Sequence, residues 1–271
     1  MGATGPATLA GTVVANFAEL FSILVLIQFL KPGTRVHIAS DTYPQNMRSG
    51  APRFGQITCS LIKAAENQMS RHYGIPRRDS NPGPLNSKKT DFQAGYERGL
   101  NGLASALSGS SLISMHSALY GEMAAHPIQA ILDDDIAGMI GRFLEGVTVT
   151  DDTLAIELIE QVGPIPGNYL NTAHTREWWR REEFIPAAAD DLTYPEWFKS
   201  GKKDCLDYAQ QRLQDILSSH KVSSPLTGNQ EAELGRILTE AREYYQSRGQ
   251  ISDEESETYE KLLKMPDYPF A

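Results

Sequence analysis

Apolar positions recur at steps of four and three through residues 92–107: Phe92, Tyr96, Leu100, Leu103 and Leu107 fall on one helical face. This predicts an amphipathic helix with that stripe turned to a core. Thr90 and Gln93, three apart, predict a capping box at its start, and Gly109 a stop at its end. Leu112 to Met115 is a short apolar run bounded by serines, which predicts a buried strand with His116, Ser117, Tyr120 and Glu122 directly behind it. Upstream, a long apolar helix is predicted over 7–29, stopped by Lys31-Pro32-Gly33. Residues 35–40 alternate as a strand does, with Asp41, Thr42 and Tyr43 at its end. A helix over 56–73 then leads to a third strand that starts at Ile75 and ends near Arg78-Asp79. Downstream the pattern predicts helices over 127–144 and 151–162, another from a Thr193–Glu196 capping box to about His220, and a last one capped by Thr227 and Gln230.

A helix feeding a buried strand, with polar groups at the strand's C-terminal end, is the layout of (β/α) enzymes, so the expected class is α/β. The pattern offers three strands, and a fourth if residues 1–6 continue one. A closed (β/α)8 barrel needs eight, so the chain is expected to contribute only part of one. Residues 1–246 are expected to form this domain. Residues 247–271 are charged, sparse in apolar side chains and expected to be loosely ordered.

Composition narrows the partners. The chain has 271 residues, 41% hydrophobic and 22% charged, with a net charge of −9. An acidic surface argues against nucleic acid and against anionic membranes. Cys59 and Cys205 are far apart and make no C-x-x-C pair, so a reduced, cytoplasmic setting is the simplest reading. FSILVLIQFL is apolar enough to raise a membrane span, but Asn16, Glu19 and Gln28 interrupt the longer stretch; a buried globular helix is the preferred expectation.

Candidate chemistry gathers at the strand ends. Asp41 and Tyr43 follow one strand and His116 another; His116 is either a site residue or a loop histidine satisfied by backbone. Tyr120 and Glu122 suit a cation cage, or simply a surface loop. Asp91 and Gln93 are site candidates whose alternative role is to cap a helix. Tyr96 belongs to the apolar stripe. Arg77, Arg78 and Asp79 are placed to hold a carboxylate or to pair with one another. Trp178 and Trp179 with Arg180 and Arg181 make either a docking surface or an amphipathic helix. The six histidines are scattered, with no HExxH and no paired cysteines, and neither a P-loop nor a GxGxxG sequence occurs.

SKKTDFQAGYERGLNGLASALSG resembles the SK-x-x-D-x-Q-A-G-Y-E segment of the trimethylamine methyltransferase family. GATGPATLAGT, LIQFLKPGTRVHIAS, MRSGAPRFGQ, HYGIP, TAHTREWWRREEF and YPEWFKSGKKD are similar to successive segments of that family's C-terminal half, over roughly residues 2–245. The resemblance implies a TIM-barrel enzyme that moves a methyl group from a methylated amine to a corrinoid protein. It implies no cofactor held by this chain itself. No pyrrolysine is present, which points to the branch acting on quaternary amines such as glycine betaine. Such a nitrogen has neither N–H nor lone pair, so aromatic faces and carboxylates must hold it. Its leaving amine departs neutral, and the enzyme's task is orientation and exclusion of water. Family members carry a further N-terminal half that supplies the first strands. The resemblance therefore implies self-association or a complementing N-terminal chain, or else a non-catalytic remnant that only binds the amine.

Overall fold

A computed structural model of the chain describes residues 1–77, 84–220 and 225–264. It divides into two units, Met1–Ser218 and Ser219–Ala271. In the first, α1 (Leu9–Leu30), α2 (Ile57–His72) and α3 (Phe92–Leu107) precede a two-stranded antiparallel sheet, β1 (Ala118–Leu119) with β2 (Ala124–Ala125). Then come α4 (Pro127–Glu145), α5 (Asp151–Leu154), α6 (Ile156–Val162), α7 (Ala173–Glu182), α8 (Tyr194–Lys199) and α9 (Cys205–Ser219). The second unit holds α10 (Gly228–Ser247) and α11 (Asp253–Leu263), joined by an Arg242–Glu260 ion pair. The stretch expected to be loose thus carries a capped helix, with Ser252 and Glu255 forming its capping box.

The described residues are mostly helical, and a closed barrel is not formed among them. The strand predicted over 35–40 is reduced to one parallel bridge, Ile38 to Arg77, with α2 crossing between the two. Residues 78 and 79, the expected end of the next strand, lie outside the described residues. Leu112 to Met115 carry no strand pairing, and Leu112 is exposed. Residues 1–6 form turns rather than a strand. The three inner segments nevertheless run side by side: Ile38 N–H donates to Pro76 O at 3.0 Å, and Ser111 Oγ donates to Arg77 O at 2.7 Å. Parallel strands of this kind persist where both edges are paired and both faces covered, and that pairing is not present among the described residues.

Helix ends follow their local chemistry. The Thr193–Glu196 and Thr227–Gln230 capping boxes form as predicted. Gly146 and Gly163 end their helices at φ 69° and 70°. At α3 the cap is Asp91, whose carboxylate accepts from Ala94 N–H at 3.0 Å, and not a Thr90–Gln93 box. The helix expected to run from residue 193 to His220 breaks in two, because Gly201 and Lys202 take φ 96° and 59°.

Two expected faces are inverted. The Phe92–Leu107 stripe of α3 points to solvent: Phe92 is 86% and Leu107 62% exposed. Its buried face is Ala94, Glu97, Arg98, Asn101, Gly102 and Ser105. The buried globular helix expected over 7–29 is instead buried only at Thr12, Val13 and Phe17. Val13 and Phe17 meet Ile38 and Ile62 in a small core, with Leu20, Phe21, Met69 and Ile75 packed around it. By length and composition α1 is long and apolar enough to cross a membrane.

Candidate functional site

The polar face of α3 is buried because it holds three loops at once. Arg98 and Asp133 pair at 3.0 Å with side chains 0% and 1% exposed. Arg98 Nη2 donates to Ala118 O at 2.8 Å, and Asp133 Oδ2 accepts from Ser117 N–H at 3.0 Å. Gln129 donates to the other oxygen of Asp133 at 2.7 Å. Burial lowers the pKa of the Arg98 guanidinium, and Asp133 works against that shift. One turn away, Glu97 accepts from the N–H groups of Asn86 at 2.8 Å and Ser87 at 3.3 Å, and from Gln93 Nε2 at 2.7 Å. Asn86 in turn accepts from Phe54 N–H at 3.2 Å. Asn101 donates to Gly55 O at 3.0 Å. The loops at 54–55, 86–87 and 117–118 are thereby fixed to one helix face.

These loops wall a cavity of about 720 Å³, lined by Ala39, Asp41, Tyr43, Phe54, Pro84, Ser114, His116, Gly121 and Glu122. Four of the seven residues singled out in the sequence, Asp41, Tyr43, His116 and Glu122, meet here. Tyr120 lies one ring away: the centroids run Tyr43 to Phe54 at 5.0 Å and Phe54 to Tyr120 at 6.5 Å, each pair edge-on. Asp91 and Gln93 do not line the cavity; Asp91 caps α3, and Gln93 donates to Glu97.

The Tyr43 hydroxyl donates to Asp41 Oδ1 at 3.4 Å. Burial, and then the neighbouring Asp41, push the Tyr43 phenol far above its ordinary pKa, so it stays neutral. His116 Nε2 lies 3.3 Å from Glu122 Oε1, both about half exposed. The wall therefore presents aromatic rings and two carboxylates.

The turn carrying Glu122 is strained. Tyr120, Gly121 and Glu122 all have positive φ, at 41°, 61° and 69°. Tyr120 N–H donates to Ser87 O and Gly121 N–H to Leu85 O, both at 2.9 Å. A Cβ on Gly121 would stand 2.3 Å from the Phe54 ring, so glycine is what lets that ring reach the cavity.

Ser40, the residue before Asp41, is tied into a buried ionic network. Glu66 is buried and accepts from Asn16 at 2.6 Å, from Ser40 Oγ at 3.1 Å and from Arg77, while Lys63 lies 3.5 Å away. Arg77 thus pairs with Glu66; Arg78 and Asp79 lie outside the described residues. A further cavity of about 810 Å³ shares Ala39, Asp41 and Tyr43 with the first. Among the described residues no group of three or more His, Cys, Asp or Glu side chains is placed to hold a metal. The tryptophan pair sits on α7, where Arg181 stacks over Trp178 and Arg180 over Trp179.

Residues 1–242 match the model of the trimethylamine methyltransferase (MTTB) family. The chain belongs to that family. A glycine betaine methyltransferase of Desulfitobacterium hafniense (strain Y51) is 38% identical over 222 residues, which is 81% of this chain and 45% of the relative. The trimethylamine methyltransferase MttB of Methanosarcina thermophila is 33% identical over 221 residues, 82% of this chain and 45% of the relative. An MttB of Desulfitobacterium hafniense (strain DSM 10664 / DCB-2) is 30% identical over 244 residues, 90% of this chain and 48% of the relative. The chain spans under half the length of these relatives. The trimethylamine methyltransferase match includes every residue that lines the 720 Å³ cavity.

Glu97, Arg98, Asn101, Asp133 and Phe54 were not legible as site residues in the sequence. The one available signal was that Glu97, Arg98, Asn101 and Ser105 share a helical face opposite the stripe. Read alone, that face looks like the solvated side of an amphipathic helix.

Proposed function

We propose that this chain carries the amine-binding part of a methyltransferase that moves a methyl group from a quaternary amine, such as glycine betaine, to a corrinoid protein. The observation that carries the reading is the meeting of Tyr43, Phe54, Asp41 and Glu122 on one small-molecule-sized cavity in a chain of this family. The rings of Tyr43 and Phe54 offer a trimethylammonium group the negative faces it needs, with Tyr120 packed behind Phe54, and the two carboxylates balance its charge. Trimethylamine is the alternative substrate.

The methyl group leaves a quaternary nitrogen without protonation, since the departing tertiary amine is already neutral. His116 is then not required as an acid; beside Glu122 it orients a carboxylate. The chain's contribution is to bind, to aim one methyl group outward and to keep water from the cavity. A reduced corrinoid, held by its own partner protein, would supply the nucleophile; the rings and carboxylates here suit the ammonium group and not that cofactor.

We further read the side-by-side segments at Ile38, Arg77 and Ser111 as part of a TIM barrel whose remaining strands come from outside these residues. The outward apolar stripe of α3 is the surface such added structure, or a second copy, would cover. We place the protein in the cytoplasm, in keeping with its two free cysteines, and read α1 as a packing helix because Val13 and Phe17 join the core. Titration calorimetry with glycine betaine, carnitine and trimethylamine tests the binding claim. Saturable heat with a quaternary amine, lost in Phe54→Ala, is expected; no heat with any of the three contradicts it.

A further inference from the structure

A quaternary amine needs no acid to give up a methyl group, but what it leaves behind is a base. The C–N bond breaks with both electrons staying on nitrogen, so glycine betaine becomes dimethylglycine with a free lone pair. That lone pair is itself a nucleophile and can take the methyl group back until a proton fills it. In bulk water the proton arrives at once; in a covered cavity it must come from a side chain.

Among the described residues of the cavity wall, one side chain suits. Tyr43 keeps its hydrogen on Asp41, and burial, then Asp41, hold its phenol far above its ordinary pKa, so it does not acidify an amine. The Ser114 hydroxyl is too weak an acid, and Asp41 and Glu122 serve as anions. His116 remains. An imidazolium is a stronger acid than an alkylammonium by roughly three to four powers of ten, so the transfer runs downhill. Two carboxylates make room for this second positive charge. One balances the substrate's ammonium; Glu122 Oε1, 3.3 Å from His116 Nε2, balances the imidazolium. With Nε2 committed to Glu122, Nδ1 carries the proton that moves. Behind the ring, Asp133 accepts from Ser117 N–H at 3.0 Å and is itself paired with Arg98, so α3 and α4 present a balanced pair there. His116 and Glu122 are both about half exposed, so solvent recharges the ring between turnovers.

We infer that His116 is the proton donor that traps the departed tertiary amine as an ammonium ion and so opposes return of the methyl group. This rests on the amine-binding reading of the cavity. The N–H bond at Nδ1 breaks, an N–H bond forms on the product nitrogen, and His116 is left neutral. The product then donates its new N–H back to Nδ1. Glycine betaine has no N–H, makes no such bond and coexists with the charged ring.

The test compares dimethylglycine with glycine betaine. Calorimetry in two buffers of different ionisation heat counts the protons exchanged on binding. Near pH 6, dimethylglycine is expected to release protons from the wild-type chain, because the N–H···N bond needs a neutral ring, and glycine betaine to release none. His116→Ala is expected to bind betaine within about twofold of wild type and to release no proton with either ligand. With a reduced corrinoid protein present, methyl transfer by His116→Ala is expected to fall about a hundredfold and to recover in part with added imidazole. Equal proton release with the two ligands, release that persists in His116→Ala, or undiminished transfer by that variant overturns the role of His116 and leaves the amine site standing. Loss of betaine affinity in His116→Ala makes the histidine a binding group and overturns its proton role too. Wild-type protein that binds neither ligand overturns the amine-binding reading, and the inference with it.

Discussion

Gly121 has no room for a side chain. Its backbone is left-handed at φ 61°, and the Phe54 ring occupies the space a Cβ would take. Gly121→Ala is expected to destabilise the protein by about 2–4 kcal/mol through strain and overpacking, read as a lower denaturant midpoint. The two thiols make a second residue-scale case. Burial pushes the Cys59 thiol up to about 11 from 9.0, and its Sγ donates to the carbonyls of Arg53 and Phe54. A folded pKa raised above the unfolded one gives stability that is present below pH 9 and lost as pH rises towards 11. At pH 8, a thiol reagent should titrate Cys205 alone in the native protein and both cysteines after unfolding; two rapid thiols in the native state would contradict the burial. Asp41, Tyr43, His116 and Glu122 were legible from sequence because each follows a short apolar segment that ends at the cavity. Phe54 was not, because it sits in a Gly-, Pro- and Arg-rich loop with no period to read.

The decisive element is α3. Its amphipathic pattern correctly gave a helix and wrongly gave the buried side, because period alone does not say whether an apolar stripe meets this chain or another surface. The polar face is buried because Glu97, Arg98 and Asn101 satisfy loop groups that would otherwise lie unpaired. Removing one partner of the enclosed Arg98–Asp133 pair strands a charge, so Arg98→Ala or Asp133→Ala should each cost about 3–5 kcal/mol in chemical denaturation. Leu100→Ser, on the exposed stripe of the same helix, should cost under about 1 kcal/mol in the isolated chain. The reverse ranking would mean that the stripe is the buried face after all. The short strands were over-read for a related reason. Residues 35–40 and 112–115 have strand composition, but strand geometry needs neighbours: among the described residues the first segment makes one bridge, Ile38 to Arg77, and the second makes none.

At the scale of the molecule, the apolar surface is extensive. Phe29 is 82% exposed on α1, Phe92 86% on α3 and Phe143 60% on α4. Exposed apolar surface is where a protein meets other copies, partners or membranes. Sedimentation of the purified chain is expected to show self-association, or a heteromer where a complementing family chain is supplied; a monodisperse monomer under both conditions would contradict this. Methyl transfer itself can be read directly. The chain, alone and with a complementing N-terminal chain, is mixed with a reduced corrinoid protein and with glycine betaine, carnitine, proline betaine or trimethylamine, and the corrinoid's visible absorbance is followed. The account predicts amine-dependent methylation with a quaternary, carboxylate-bearing amine, abolished in Tyr43→Ala and Phe54→Ala. No absorbance change with any amine, in the presence of the complementing chain, would contradict it.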